Sequence, residues 1–204
     1  MSTRPDISNK LMHFTSGEND EEAFQRLRLI VMQGRLIGTG EKIKGGYRCV
    51  CFSEAPLASL KSGLVNPDAY SRYSPFGVMF QKRWIFGRGG RPVIYQTDEE
   101  YDLLPDELKW RHVRCEPDRD NKPIDFTWER EWRIQCDYLS FEPSVAGIVV
   151  PDDTWAQRLI NEHEAEQDFK VLQYAQIMEE DLAQQYHEEF GWRIYRLKKH
   201  LVIY

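Results

Sequence analysis

Asp125-Phe126-Thr127-Trp128-Glu129-Arg130-Glu131-Trp132-Arg133-Ile134 alternates in character along its second half. Trp128, Arg130, Trp132 and Ile134 interleave with Glu129, Glu131 and Arg133. Side chains on a β-strand repeat every second residue, so a strand here places both carboxylates and Arg133 on one face. The aromatic and aliphatic bodies take the other. Two like charges side by side on a strand repel, which weakens the fold unless the pair is used. A Glu-x-Glu pair on a strand suits stabilisation of a sugar-like cation during group transfer. The alternative is an edge strand with a solvated acidic face neutralised by Arg133.

Outward from this stretch the chain alternates short apolar runs with turn signals. Lys10–Phe14 reads as a first strand ending in His13-Phe14-Thr15. Ser16–Asp20 supplies helix caps, and Ala23, Leu27, Ile30 and Val31 recur at helical spacing up to a left-handed cap at Gly34. Gly38–Gly46 is a glycine-bearing loop before a buried strand, Tyr47–Ser53. Leu57–Leu64 reads as one or two helical turns. Phe76–Phe80 and Val93–Gln96 read as strands, and the Arg88-Gly89-Gly90-Arg91-Pro92 turn between them predicts a hairpin. Asp98–Val113 reads as a helix interrupted at Pro105, and Val145–Val150 as a strand. Pro151-Asp152-Asp153 starts a helix to about Glu164. A strand is expected at Lys170–Tyr174, a helix from Met178 to Phe190, and some strand within Ile194–Tyr204. The pattern predicts one α+β domain over residues 1–204, its sheet built of short strands.

Composition narrows the function classes. At 204 residues the chain can bury one substantial core. Its formal charge of −6 provides no global field toward nucleic acid or anionic lipid, so a nucleic-acid substrate requires a local basic patch. No apolar run approaches the roughly 18 residues of a spanning helix, and the N-terminus lacks an apolar signal region. No membrane partner is expected. Cys49, Cys51, Cys115 and Cys136 match neither a zinc spacing nor a small disulfide scaffold. They read as reduced cysteines of a cytoplasmic protein, with no metal expected. P-loop, Gly-x-Gly-x-x-Gly, Gly-x-Ser-x-Gly, zincin and kinase signatures are all absent.

The order of the remaining features carries more than any one of them. Cys49-Val50-Cys51-Phe52-Ser53-Glu54-Ala55-Pro56-Leu57, then Tyr73-Ser74-Pro75-Phe76-Gly77 through Trp84, then Arg91-Pro92-Val93-Ile94-Tyr95, then Trp128-Glu129-Arg130-Glu131-Trp132-Arg133 follow the His13-Phe14-Thr15 opening. Over about residues 11–150 this layout resembles the ADP-ribosyltransferase superfamily, and within it a bacterial abortive-infection family near DarT-type toxins. Ser74-Pro75 departs from the glycine those relatives favour nearby.

The resemblance implies a split, bent β-sheet with NAD as co-substrate in its cleft, and transfer of ADP-ribose to a macromolecule in anti-phage defence. Glu131 would be the catalytic carboxylate and Glu129 would orient or deprotonate the acceptor. His13 would bind a ribose of NAD, Thr15 would support the ribose, and Ser53 would support Glu131. Tyr73 or Tyr70 would stack on nicotinamide, and Arg26, Arg72 or Arg83 would hold the diphosphate. The implied acceptor is nucleic acid, RNA ahead of single-stranded DNA, with protein the alternative. A cognate antitoxin is an implied partner. The competing reading is a non-enzymatic antitoxin or sensor that keeps a transferase-like shell. The basic residues Lys82, Arg83, Arg88 and Arg91, and Lys198-Lys199-His200, are the stretches suited to phosphate contact.

Overall fold

The computed structural model describes residues 7–54, 74–118 and 122–197. The fold is mixed α and β, organised on a seven-stranded sheet. Strands β1 (Lys10–Phe14), β3 (Cys49–Ser53), β4 (Gly77–Gln81), β5 (Arg91–Pro92), β8 (Glu131–Gln135), β10 (Ala146–Val150) and β11 (Arg193–Arg196) take the order β11-β10-β4-β1-β3-β8-β5. Two small pairs flank it: β2 (Arg35–Ile37) with β9 (Tyr138–Ser140), and β6 (Ile94–Gln96) with β7 (His112–Arg114).

The seam between β1 and β3 organises the sheet. β1 pairs with β4 along its whole length, from Lys10–Gln81 to Phe14–Gly77. β3 pairs equally fully with β8, from Cys49–Gln135 to Ser53–Glu131. β1 and β3 meet in register only at Met12–Ser53. Gly77 is required where β4 crosses the end of β1, because a Cβ there would lie 2.3 Å from the His13 carbonyl oxygen.

One face of the sheet is the core. Helix α1 (Asp20–Gln33) starts where Asn19 accepts the Glu22 N–H at 2.9 Å, with Asp20, Glu21 and Glu22 at the positive end of its dipole. It buries Ala23, Phe24, Leu27 and Val31, then stops at Gly34, whose φ of 57° a side chain would resist. Phe24, Phe76 and Trp155 pack at centroid distances of 5.0–6.0 Å. Phe80 stacks on Trp84 and meets Phe52 and Phe141 edge-on. Such aromatic pairs add about 1 kcal/mol each beyond their burial.

Several sequence expectations are corrected. β4 does not form a hairpin with the strand after Gly89. Gln81 runs straight into helix α2 (Lys82–Gly87), and the turn at Gly89 (φ 90°) carries the chain to β5 on the far side of the sheet. Asp98–Val113 is two 3-10 turns, Glu100–Leu103 and Asp106–Arg111, separated by Pro105 and ending in β7. Lys170–Tyr174 is not a strand but the end of a long helix, α3 (Asp153–Ala175). Once a helix is nucleated each added residue gains a hydrogen bond, whereas a strand needs a partner. Lys170 also pairs with Glu188 at 2.9 Å. The following helix, α4, is only Glu180–Gln184. Leu57–Leu64 and Lys198-Lys199-His200 lie outside the described residues. Among the described residues no helix is long and apolar enough to cross a membrane.

Candidate functional site

The opposite face of the sheet carries a cleft of about 640 Å³ beside the β1–β3 seam. That is within the several-hundred Å³ range of ligand pockets. Phe14 and Ser16 border it from β1 and the turn that follows, and Cys51, Glu131 and Arg133 line it from β3 and β8. Lys42, Ile43 and Lys44 of the Gly38–Gly46 loop form one wall. Asp98, His112, Arg114, Phe126 and Glu129 close the others. Lys44 ties two walls together through Asp98, donating to its carboxylate at 2.7 Å and its carbonyl at 3.0 Å.

The Glu-x-Glu pair does not sit on one strand. Thr127–Glu129 forms a 3-10 turn, and Arg130 takes the left-handed conformation (φ 47°, ψ 49°) before β8 begins at Glu131. A non-glycine residue there costs about 1–2 kcal/mol. Neighbouring bonds offset the cost: the Arg130 N–H donates to the Thr127 carbonyl at 3.2 Å, and its carbonyl accepts the Glu54 N–H at 3.1 Å. The bend brings Glu129 and Glu131 to the same cleft by a route that strand alternation does not describe. It also leaves Trp128 exposed, while Trp132 and Ile134 enter the core as expected.

Glu131 and Arg133 do share a strand face, and the contact is close. Arg133 Nε donates to Glu131 Oε1 at 2.8 Å and Nη2 to Oε2 at 3.1 Å, a bidentate fork. Nη1 donates to the carbonyls of Trp110 (3.0 Å) and His112 (2.9 Å). The guanidinium is 6% exposed and Glu131 12% exposed. Burial works against the charge on Arg133, but the Glu131 carboxylate outweighs it and holds the guanidinium more firmly protonated. The anticipated like-charge problem of the stretch is thus resolved by a third residue two positions along.

Other neighbours tune the same point. The Tyr95 hydroxyl accepts the Glu131 N–H at 3.1 Å. Burial, and the negative charges of Glu131 and Glu129, push the phenol up to about 12. The Cys51 thiol is pushed far up by burial and by Glu131, to which it hydrogen-bonds, so it is a neutral donor rather than a nucleophile.

The remaining predicted site residues are distributed unevenly. His13 lies on the core side of β1, edge-on to Phe52 at 6.1 Å. Its Nδ1 contacts the Cys51 carbonyl at 2.8 Å across the seam. A carbonyl only accepts, so Nδ1 carries the proton. Burial lowers the His13 pKa from 6.5, which keeps the ring neutral at pH 7. Thr15 is buried and spends its hydroxyl on the Ala23 carbonyl at 2.9 Å, joining the end of β1 to α1. The Ser53 hydroxyl donates to the Glu129 carbonyl at 2.7 Å, so it anchors the bend that precedes Glu131. Arg26 projects from α1 and donates to Ser16 Oγ at the edge of the cleft. Arg83 lies elsewhere, on α2. Tyr70, Arg72 and Tyr73 lie outside the described residues. Among the described residues no group of His, Cys, Asp and Glu is arranged to hold a metal ion.

Sequence reasoning gave Arg133 only the neutralising of an acidic face, and assigned no role to Tyr95, Cys51, Lys42 or Lys44. Arg133 had a usable signal, its two-residue spacing from Glu131. Tyr95 had none, because the parallel β6–β7 pair that sets its place joins segments far apart in the chain. No protein-family model, curated protein sequence or solved structure matches the chain.

Proposed function

We propose that this chain is an NAD-dependent ADP-ribosyltransferase acting in anti-phage defence, with a nucleic acid as acceptor. The observation that carries the reading is the Glu131 carboxylate, fixed by the Arg133 fork inside a cleft at the seam where β1 and β3 part. The resemblance of the sequence blocks from His13 to Arg133 points the same way.

The residues present suit NAD as substrate. Phe14 and Phe126 supply aromatic surface for its rings. Lys42 lines the cleft and, among the described residues, makes no ion pair, so it is available to the diphosphate. In the reaction the bond between ribose C1 and the nicotinamide nitrogen breaks, and the electron pair leaves with nicotinamide. Positive charge develops on C1 and the ring oxygen. A preorganised carboxylate stabilises that charge most in the transition state, where binding energy raises rate. The acceptor's nucleophile then forms the new bond to C1, and its proton passes to Glu129. Arg133 and Cys51 hold Glu131 without reorganisation during the step.

The test is transfer of label from NAD to RNA, single-stranded DNA or lysate proteins by wild type and by Glu131→Gln. Glutamine keeps an acceptor for Arg133, so the fold is less disturbed than by alanine. A loss of about 10²–10³ in rate is expected, the scale for removing one preorganised electrostatic group. Undiminished transfer by folded Glu131→Gln would reject the role.

A second reading draws on the same fork. Arg133 engages both Glu131 oxygens, as a non-catalytic antitoxin or sensor with a transferase-like shell would tolerate. Toxicity on expression that Glu131→Gln relieves favours the enzyme; harmless expression with no NAD cleavage favours the shell.

A further inference from the structure

A second cleft, of about 370 Å³, lies on the same face of the sheet as Glu131, at the other end of β1 and β4. Lys10, Arg83 and Arg193 line it, and no aspartate or glutamate does. This is a local reversal in a chain whose carboxylates outnumber its Lys and Arg by 33 to 27. Among the described residues none of the three is in a salt bridge. Arg193 bonds the Tyr195 hydroxyl, but no carboxylate offsets the three charges, and like charges converging on one concavity favour an anionic occupant.

Register sets the span. Lys10 is opposite Gln81 in β4, and Arg193 is opposite Gly147 in β10. β1 and β11 are three strand intervals apart, about 14 Å at roughly 4.8 Å per interval. That exceeds a single phosphate and matches consecutive phosphates of an extended strand. Gly147 has no side chain, and the Tyr195 ring packs over it so closely that a Cβ there would meet Tyr195 Cε2 at 2.5 Å. Glycine therefore lets the Tyr195 ring lie flat as an aromatic wall, the pairing of stacking surface and cationic track that single-stranded nucleic acids use. Met12, Met79 and Val149 form a buried apolar strip on this same face, with Tyr195 and Phe14 packed against it. Tyr195 borders this cleft and Phe14 borders the Glu131 cleft.

We propose that the Lys10–Arg83–Arg193 cleft binds the phosphodiester backbone of a single-stranded nucleic acid and so holds the acceptor strand on the Glu131 face. The acceptor role rests on the transferase reading; the binding itself does not, and the two are measured separately.

The experiment is fluorescence anisotropy of labelled oligouridine and oligothymidine with the full chain, beside NAD cleavage by the same preparations. Neutralising three phosphates of a single strand gives a salt slope of about −2, so a fourfold rise in salt weakens binding about 20-fold. Arg83→Glu with Arg193→Glu should lower affinity by at least about tenfold and flatten that slope, leaving NAD cleavage unchanged. Arg83→Gln with Arg193→Gln, a milder pair, should lie between, with an unchanged melting curve for both. Equal affinity in wild type and variants overturns the proposal, as does absence of binding by wild type. So does displacement of the oligonucleotide by equimolar inorganic phosphate. Retained binding with no NAD cleavage by wild type would reject the transferase reading while leaving this site standing.

Discussion

Replacing Arg133 with methionine removes the fork that holds Glu131 and tests whether that pair is a unit. The substitution keeps much of the side-chain volume but deletes two donors to Glu131 and two to the carbonyls of Trp110 and His112. Glu131, at 12% exposure, cannot recover its solvation in water. Removing one partner of a buried ion pair costs about 3–5 kcal/mol, because the other charge is stranded. Glu131→Gln strands less, since an amide oxygen still accepts from the guanidinium. Its cost is about 1–2 kcal/mol, the difference between a charge-assisted and a neutral hydrogen bond. The double variant should be more stable than the sum predicts, by about 1–3 kcal/mol for residues in direct contact. Urea unfolding followed by circular dichroism reads this. With a slope of about 2–3 kcal/mol per molar, Arg133→Met should lower the midpoint by about 1–2 M at unchanged slope. A midpoint shift under about 0.3 M, or a coupling below about 0.5 kcal/mol, would refute the view that Arg133 and Glu131 are mutually dependent.

Three further outcomes follow from the same structure. His13 is half-buried and held neutral with its pKa below 6.5, so the unfolded chain binds the extra proton. Its contribution to stability is fully present above pH 6.5 and is lost as pH falls through the lowered folded value. His13→Gln should therefore flatten the stability loss between pH 7 and pH 5, and identical pH profiles for the two proteins would count against this. Gly34→Ala should destabilise by about 1–2 kcal/mol in urea, since alanine resists φ 57° and its Cβ would lie 2.9 Å from the Phe141 carbonyl oxygen. A neutral effect would show that the α1 cap relaxes freely. The Cys49 thiol is pushed up to about 11 by burial, and Cys51 further. At pH 8 both should alkylate at least about 100-fold more slowly in the native protein than in urea, and native labelling at the unfolded rate would contradict their burial.

Much of the chain was legible before folding because its signals were local. β1, the Asn19 cap, the Gly34 stop and the β10 strand depend on near neighbours in sequence, and they stand where periodicity and capping chemistry place them. The misreadings share a cause. Lys170–Tyr174 has a strand-like composition, but the helix reaching it from Asp153 needs no partner strand, and Glu188 docks against it. The Gly89 turn looked like a hairpin because turn chemistry fixes a reversal without specifying which strand is met next. β5 meets β8, whose partner on its other side is β3.

The candidate site divides along the same line. Sequence alone determined that Glu131 and Arg133 would share one face, because a two-residue step on a strand returns to the same side. It determined too that Ser53 would end a strand and that His13 would stand next to the end of one. Tertiary structure alone decided that Glu129 reaches the cleft through the Arg130 bend and that Ser53 serves the Glu129 carbonyl. It alone decided that Tyr95, Cys51 and the two carbonyls above Arg133 converge on Glu131. The physical reason is that hydrophobic periodicity sets which face of an element is buried, whereas long-range pairing register sets which buried polar groups must satisfy one another.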